Sequence, residues 1–124
     1  MPLYTAITEH GCVSDETKAR LAAEITRIHA SVMNVPKNFV RVVFLSYPQK
    51  SGFTAGEAAP TAALNCVLRS GHTVEEKADL LKQLWSAFQE MTGIATDQLA
   101  ISLQEIPPSN AMEMGKIMHA VSHE

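Results

Sequence analysis

Cysteine is scarce in this sequence, and the two present, Cys12 and Cys66, are not arranged as a C-x-x-C pair. That spacing excludes a thiolate metal centre of the usual kind and gives no disulfide framework, so both are read as turn or buried thiols. Long apolar runs are missing too, and with them any stretch able to cross a bilayer as a helix. The first residues, Met-Pro-Leu-Tyr, carry neither a basic segment nor a long apolar one, so no signal or transit peptide is read and the expected location is the cytoplasm. Lysine and arginine are scattered and total 10 against 13 acidic residues, for a net charge of −3. Without a basic stripe there is no footprint for nucleic acid or an anionic membrane. His119 and His123 have helical i, i+4 spacing, but no third ligand accompanies them, and the tail is read as frayed. No metal and no cofactor are expected.

What is present is a repeat. The 124 residues, 46% hydrophobic and 19% charged, suit one domain with a real core. Sliding the chain by 59 positions lays Ser14 on Thr73, Leu21 on Leu80, Ile25 on Leu84, Asn34 on Gly93, Pro48 on Pro107 and Gly56 on Gly115. Paired prolines and glycines weigh most, because each constrains or frees the backbone in its own way. The domain therefore divides into units of residues 2–60 and 61–118.

Each unit reads as strand, helix, strand. Leu3 to Thr8 and Ala62 to Leu68 are the first strands, followed by turns with Gly11 and Gly71. Ser14 is placed to cap the first helix, and Thr73-Val74-Glu75-Glu76 has the capping-box spacing for the second. The periodic sets Leu21, Ile25, Ile28, Val32 and Leu80, Leu84, Phe88, Met91 mark the buried faces, with Asn34 and Gly93 at the left-handed ends. Phe39 to Ser46 and Leu99 to Glu105 are the second strands, parallel to the first through right-handed crossovers. The expected fold is α+β: a four-stranded sheet with both helices on one face. The other face, with valines and leucines left bare, calls for a cover, and a homo-oligomer is expected.

One terminal residue carries possible chemistry. Pro2 follows the initiator methionine, and removal of that methionine would leave a secondary amine. An amino-terminal amine titrates near neutrality, so a desolvated one beside cations can act as a base at pH 7.

With Met-Pro at its start, Ala-Glu-Ile-Thr-Arg-Ile-His29 in the first helix, Leu-Arg69-Ser-Gly-His72-Thr-Val-Glu-Glu-Lys and Gln-Glu-Ile-Pro107 followed by Met-Glu113-Met-Gly115-Lys, the sequence resembles the tautomerase superfamily over nearly its whole length. The similarity is strongest to its cis-3-chloroacrylic acid dehalogenase-like group of fused two-unit chains. That resemblance implies a homotrimer acting on a small carboxylate. It implies Pro2 as catalytic acid or base, Arg69 as the carboxylate binder, His29 as a substrate-orienting residue and Glu113 as the group that positions or activates a water. Arg41 matches an arginine that related single-unit members use across a subunit boundary. Two positions depart from the pattern: His72 stands where the group's dehalogenase has a second arginine, and Ser102 where it has a tyrosine. An imidazole lacks the two-point fork of a guanidinium, and serine is too short to replace a tyrosine hydroxyl. Both changes weaken water addition more than proton transfer, which favours a keto-enol tautomerase of the phenylpyruvate type over a hydratase or haloacrylate dehalogenase. A non-catalytic oligomeric binding protein is the alternative from another class.

Plain readings stand beside these roles. Glu113 and Lys116 have the spacing of a surface ion pair, Arg69 and His72 suit a solvated turn, and His29, next to Ile28, suits the core edge. Against that plain reading, His72 stands three residues from Arg69 on the connection into the second helix, where an anion would also meet the helix N-terminus, and it is read as a substrate-binding residue. Met112, Met114 and Met118 read as adaptable packing or subunit contact. The halves are also unequal: only the first begins at an amine and only the second carries Arg69 and His72, so one site per chain is expected.

Overall fold

A computed structural model describes residues 1–121. In chain order the elements are β1 (Leu3–Glu9), α1 (Asp15–Met33), β2 (Arg41–Tyr47), β3 (Phe53–Thr54), β4 (Glu57–Ala58), β5 (Ala62–Arg69), α2 (Val74–Thr92), β6 (Leu99–Ile106), β7 (Met112–Glu113) and β8 (Lys116–Ile117). The four long strands form one sheet in the order β2-β1-β5-β6. β1 runs parallel to β2 and β5 parallel to β6, while β1 and β5 meet antiparallel at the centre.

Local chemistry places the helices. The Ser14 side chain accepts from the backbone of Thr17 at 3.1 Å. Thr73 and Glu76 make both reciprocal bonds of a capping box, at 3.1 and 2.9 Å. Both helices end in the left-handed region, α1 at Asn34 (φ 53°) and α2 at Gly93 (φ 72°). Between helices and sheet lies the core of Tyr4, Leu21, Ile25, Ile28, Leu64, Cys66, Leu80, Leu84 and Phe88, each nearly or fully buried. Val32 and Met91, expected on the buried faces, pack at its margin.

Strand register refines the repeat. Leu3 pairs with Arg41, and Ala63 with Ala100; the second-strand residues are 59 apart and the first-strand residues 60. The offset of 59 thus holds from the helices onward, while the first strands require 60. The cause is the connection: five residues, 10–14, join β1 to α1, whereas four, 70–73, join β5 to α2. Tyr4 is therefore the counterpart of Leu64, and Arg69 of Glu9.

Each unit ends in a two-stranded hairpin, β3-β4 in the first and β7-β8 in the second. Both turn through two residues of positive φ, Ala55-Gly56 and Met114-Gly115, the geometry of a tight I′ connection. Among the described residues none forms a layer on the far side of the sheet, and Val43 and Leu45 of β2 are 44% and 52% exposed there.

Candidate active site

Because β1 is central, the chain begins in the middle of the sheet and not on a free tail. Pro2 is fully buried, and its carbonyl accepts from the Arg41 backbone at 3.1 Å. The β7-β8 hairpin, closed by Met118 N–H to the Ala111 carbonyl at 2.8 Å, brings Glu113 over the start of β1. One Glu113 oxygen pairs with the Met1 amine and the other with Arg41. The carboxylate side chain is 4% exposed and that of Arg41 50%. Glu113 and Lys116 face each other only as backbone partners of the hairpin, so the surface ion pair does not form.

Arg69, at the end of β5, completes the charged rim. It donates to the His119 carbonyl at 2.8 Å, so the C-terminal segment is laid against the turn that follows β5. Gly71 makes that approach possible: its φ is +116°, and a Cβ there would come within 3.2 Å of Val121. His119 is in irregular backbone, not a helix, and His123 lies outside the described residues.

These groups border a cavity of about 370 Å³. Met1, Arg69, Glu113 and Lys116 supply its polar side, and Val35, Pro36, Phe39, Met114, Ile117 and Met118 its apolar wall. Burial, then the charges of Arg41 and Arg69, lower the amino terminus from 8.0 to about 6. Glu113 pulls in the opposite direction, because an anion stabilises the ammonium. An amine in this place is thus held between a cationic and an anionic influence.

Of the expected site residues, Arg69 and Glu113 line the cavity, while Pro2, Arg41, His29 and His72 are not among its lining residues. His29 is 1% exposed and bonded through Nδ1 to the Tyr4 hydroxyl at 2.6 Å. Burial, followed by the nearby charges of His72 and the amino terminus, lowers it from 6.5 to about 4, so it is neutral at pH 7. It belongs to the core and not to the core edge. His72 is likewise not a solvated turn residue: its side chain is 3% exposed, with Nδ1 3.9 Å from a Glu76 oxygen. Ser102 is on the sheet's uncovered side, donating to Asn65 at 2.6 Å.

Sequence reasoning missed Tyr4, although a tyrosine inside an apolar strand needs a partner for its hydroxyl and so carried a signal. It also missed the apolar wall. Met114 and Met118, read as packing or subunit contact, line the cavity, and Val35, Pro36 and Phe39 are assembled there by the connection from α1 to β2. The cysteines are as expected, Cys12 exposed in a turn and Cys66 buried. Burial pushes the Cys66 thiol up to about 12, which makes it inert.

A duplicated β-α-β sheet with a buried chain start at its centre is the architecture of the tautomerase class. The structure of native Ps01740 is 30% identical, superposes with a TM-score of 0.87, and the match covers 90% of this chain and 99% of that one. N1, a member of the cis-3-chloroacrylic acid dehalogenase family, is 27% identical with a TM-score of 0.91 over 96% of this chain and 85% of that one. A fused 4-OT solved as a symmetric trimer shares the fold at 24% identity, with a TM-score of 0.85 and 94% of each chain covered. No curated protein matches the sequence. The family model described as "Putative oxalocrotonate tautomerase enzyme" matches residues 1–103, and the chain belongs to that family, within the tautomerase superfamily. The matched span stops short of Glu113.

Proposed function

We propose that this chain is an amino-terminal-proline enzyme acting on small carboxylates, with keto-enol tautomerisation of the phenylpyruvate type as its reaction. The observation that supports this most directly is the chain start itself, set at the wall of a cavity with Arg69 on the same rim. Once Met1 is removed, Pro2 carries the terminal amine. Burial and two nearby guanidinium groups favour its neutral form, as they do for the Met1 amine. Arg69 takes the substrate carboxylate in a two-point fork, turning from the His119 carbonyl it now holds. The apolar wall takes the aryl group. The amine accepts the enol O–H proton and returns it to the adjacent carbon, so one proton moves from oxygen to carbon and nothing else is exchanged. Arg41 holds Glu113, and through it the anion beside the amine.

A hydratase or dehalogenase-like reaction on an unsaturated acid is the second reading, and the contact of Glu113 with the amine favours it. An anion there raises the amine pKa towards an acid's role and leaves a carboxylate to orient water. The absence of a fork at His72 and of a hydroxyl of tyrosine length at Ser102 weighs against it. We also infer a homotrimer, since the uncovered apolar sheet face needs a partner and a neighbour of the same fold is a symmetric trimer.

The test is enol-to-keto conversion of phenylpyruvate by protein whose loss of Met1 is verified by mass spectrometry. Pro2→Ala should remove most of the activity while the oligomer stays intact. Turnover equal to the unsubstituted protein would sink the mechanism, and inactivity of the processed protein on carboxylate substrates in general would favour the non-catalytic binding role.

A further inference from the structure

The two halves of the fold act as an internal control on each other. In the first, Tyr4 and His29 form a buried polar pair, with the hydroxyl 2.6 Å from Nδ1 and the rings edge-on at 84° and 5.5 Å between centroids. In the second, the same two places hold Leu64 and Phe88, both completely buried. A third position behaves alike: His72 before the capping residue of α2 corresponds to Val13 before that of α1, and both are buried. The fold therefore accepts an apolar pair where Tyr4 and His29 stand. Replacing both partners of a buried hydrogen bond by apolar groups is close to neutral for stability, so folding does not call for this pair. It occurs in the half that begins at the amine, and Pro2 and Tyr4 alternate onto the same side of β1.

The surroundings also fix the direction of the bond. A buried tyrosine hydroxyl needs an acceptor, and those near it are His29 Nδ1 and the thiol of Cys66, its register partner on β5. Sulfur is a weak acceptor. Were Nδ1 to donate, the hydroxyl would be left to sulfur alone, a poorly satisfied buried group. Tyr4 therefore donates, and the proton of the neutral imidazole resides on Nε2.

We infer that Tyr4 is a positioning residue: by holding Nδ1 it locks His29 as the Nε2–H tautomer, a fixed neutral donor in the buried core of the half that begins at the amine. This rests on the amino-terminal-proline reading above. A preorganised neutral donor stabilises charge developing on a carbonyl or enol oxygen without giving up its proton.

Nitrogen-15 histidine NMR of the processed oligomer reads the tautomer directly and independently of any reaction. Nε2–H at His29 is the expected result, and Nδ1–H would overturn the assignment. In Tyr4→Phe the single tautomer should be lost and kcat should fall about tenfold with KM changed less than about twofold; an unchanged kcat counts against the role. The transplant of Tyr4→Leu with His29→Phe copies the other half, so it should fold and assemble normally, shown by circular dichroism and gel filtration, yet be nearly inactive. A fully active transplant would overturn the inference. If instead Pro2→Ala keeps its turnover, the proposed reaction fails, and the NMR tautomer still decides the Tyr4–His29 relation.

Discussion

Arg69 and Glu113 have opposite effects on the amine they share a rim with, and each makes its own prediction. Arg69→Ala removes the proposed fork for the substrate carboxylate, so KM should rise about tenfold or more with a smaller change in kcat. A normal KM would exclude Arg69 from the site. Glu113→Gln removes an anion that favours the ammonium, so the amine pKa should fall and the rising limb of the kcat/KM pH profile should move to lower pH. His29 yields a prediction about stability. Its folded value of about 4 is below the ordinary 6.5, so folding favours the neutral form. The contribution is complete above pH 6.5 and is lost as pH falls towards 4, because the unfolded chain takes up a proton there that the folded chain resists. The groups that face it are Tyr4, His72 and the amino terminus, with Cys66 behind Tyr4. Denaturant titrations between pH 7 and 4 should show a decline on the order of 3 kcal/mol, much reduced in His29→Phe.

At the scale of elements, the turns decide where the chemistry sits. The capping box of α2 directly follows the turn with Arg69 and His72 at its ends, so Thr73→Ala should cost about 1 kcal/mol, read as a drop of a few degrees in melting temperature. The β7-β8 hairpin carries Glu113 to the amine only because Met114 and Gly115 both accept positive φ, 55° and 76°. Gly115→Val is strained there whatever the space around it, so activity should fall far more than stability. These turns were partly legible. Gly56 and Gly115 fell in register at once, as did the helix caps, because caps and glycines are local signals. The one-residue difference between the 10–14 and 70–73 connections was not legible, since strand register follows from the pairing of β1 with β2 and β5 with β6 and has no local mark in the sequence.

For the molecule as a whole, the differences between the two units support the proposal of a single site per chain. The second copy places Ala62 where the first has Pro2, Ala100 for Arg41 and Phe88 for His29; the first places Thr54 where the second has Glu113 and Glu9 for Arg69. Each member of the proposed site has a counterpart of different chemistry in the other unit. The uncovered sheet face belongs to this scale also. Charging it with Leu45→Lys should dissociate the proposed trimer in gel filtration while the monomer keeps its helical signal, because Leu45 is 52% exposed and is not part of the core in the single chain. An oligomer that survives this change would place its interface elsewhere.

The amino-acid sequence by itself determined the elements, their caps, the buried helix faces and the duplication, because each of these is written in spacings of a few residues. Through its resemblance to a known family it also named Pro2, Arg41, Arg69, Glu113, His29 and His72 as candidates. Only the tertiary structure decided that Glu113 leaves Lys116 for Arg41 and the amino terminus, that Met114 and Met118 wall a cavity, and that His29 is locked to Tyr4 inside the core. Those contacts join residues tens of positions apart, and it is the central place of β1 in the sheet that brings them to one point.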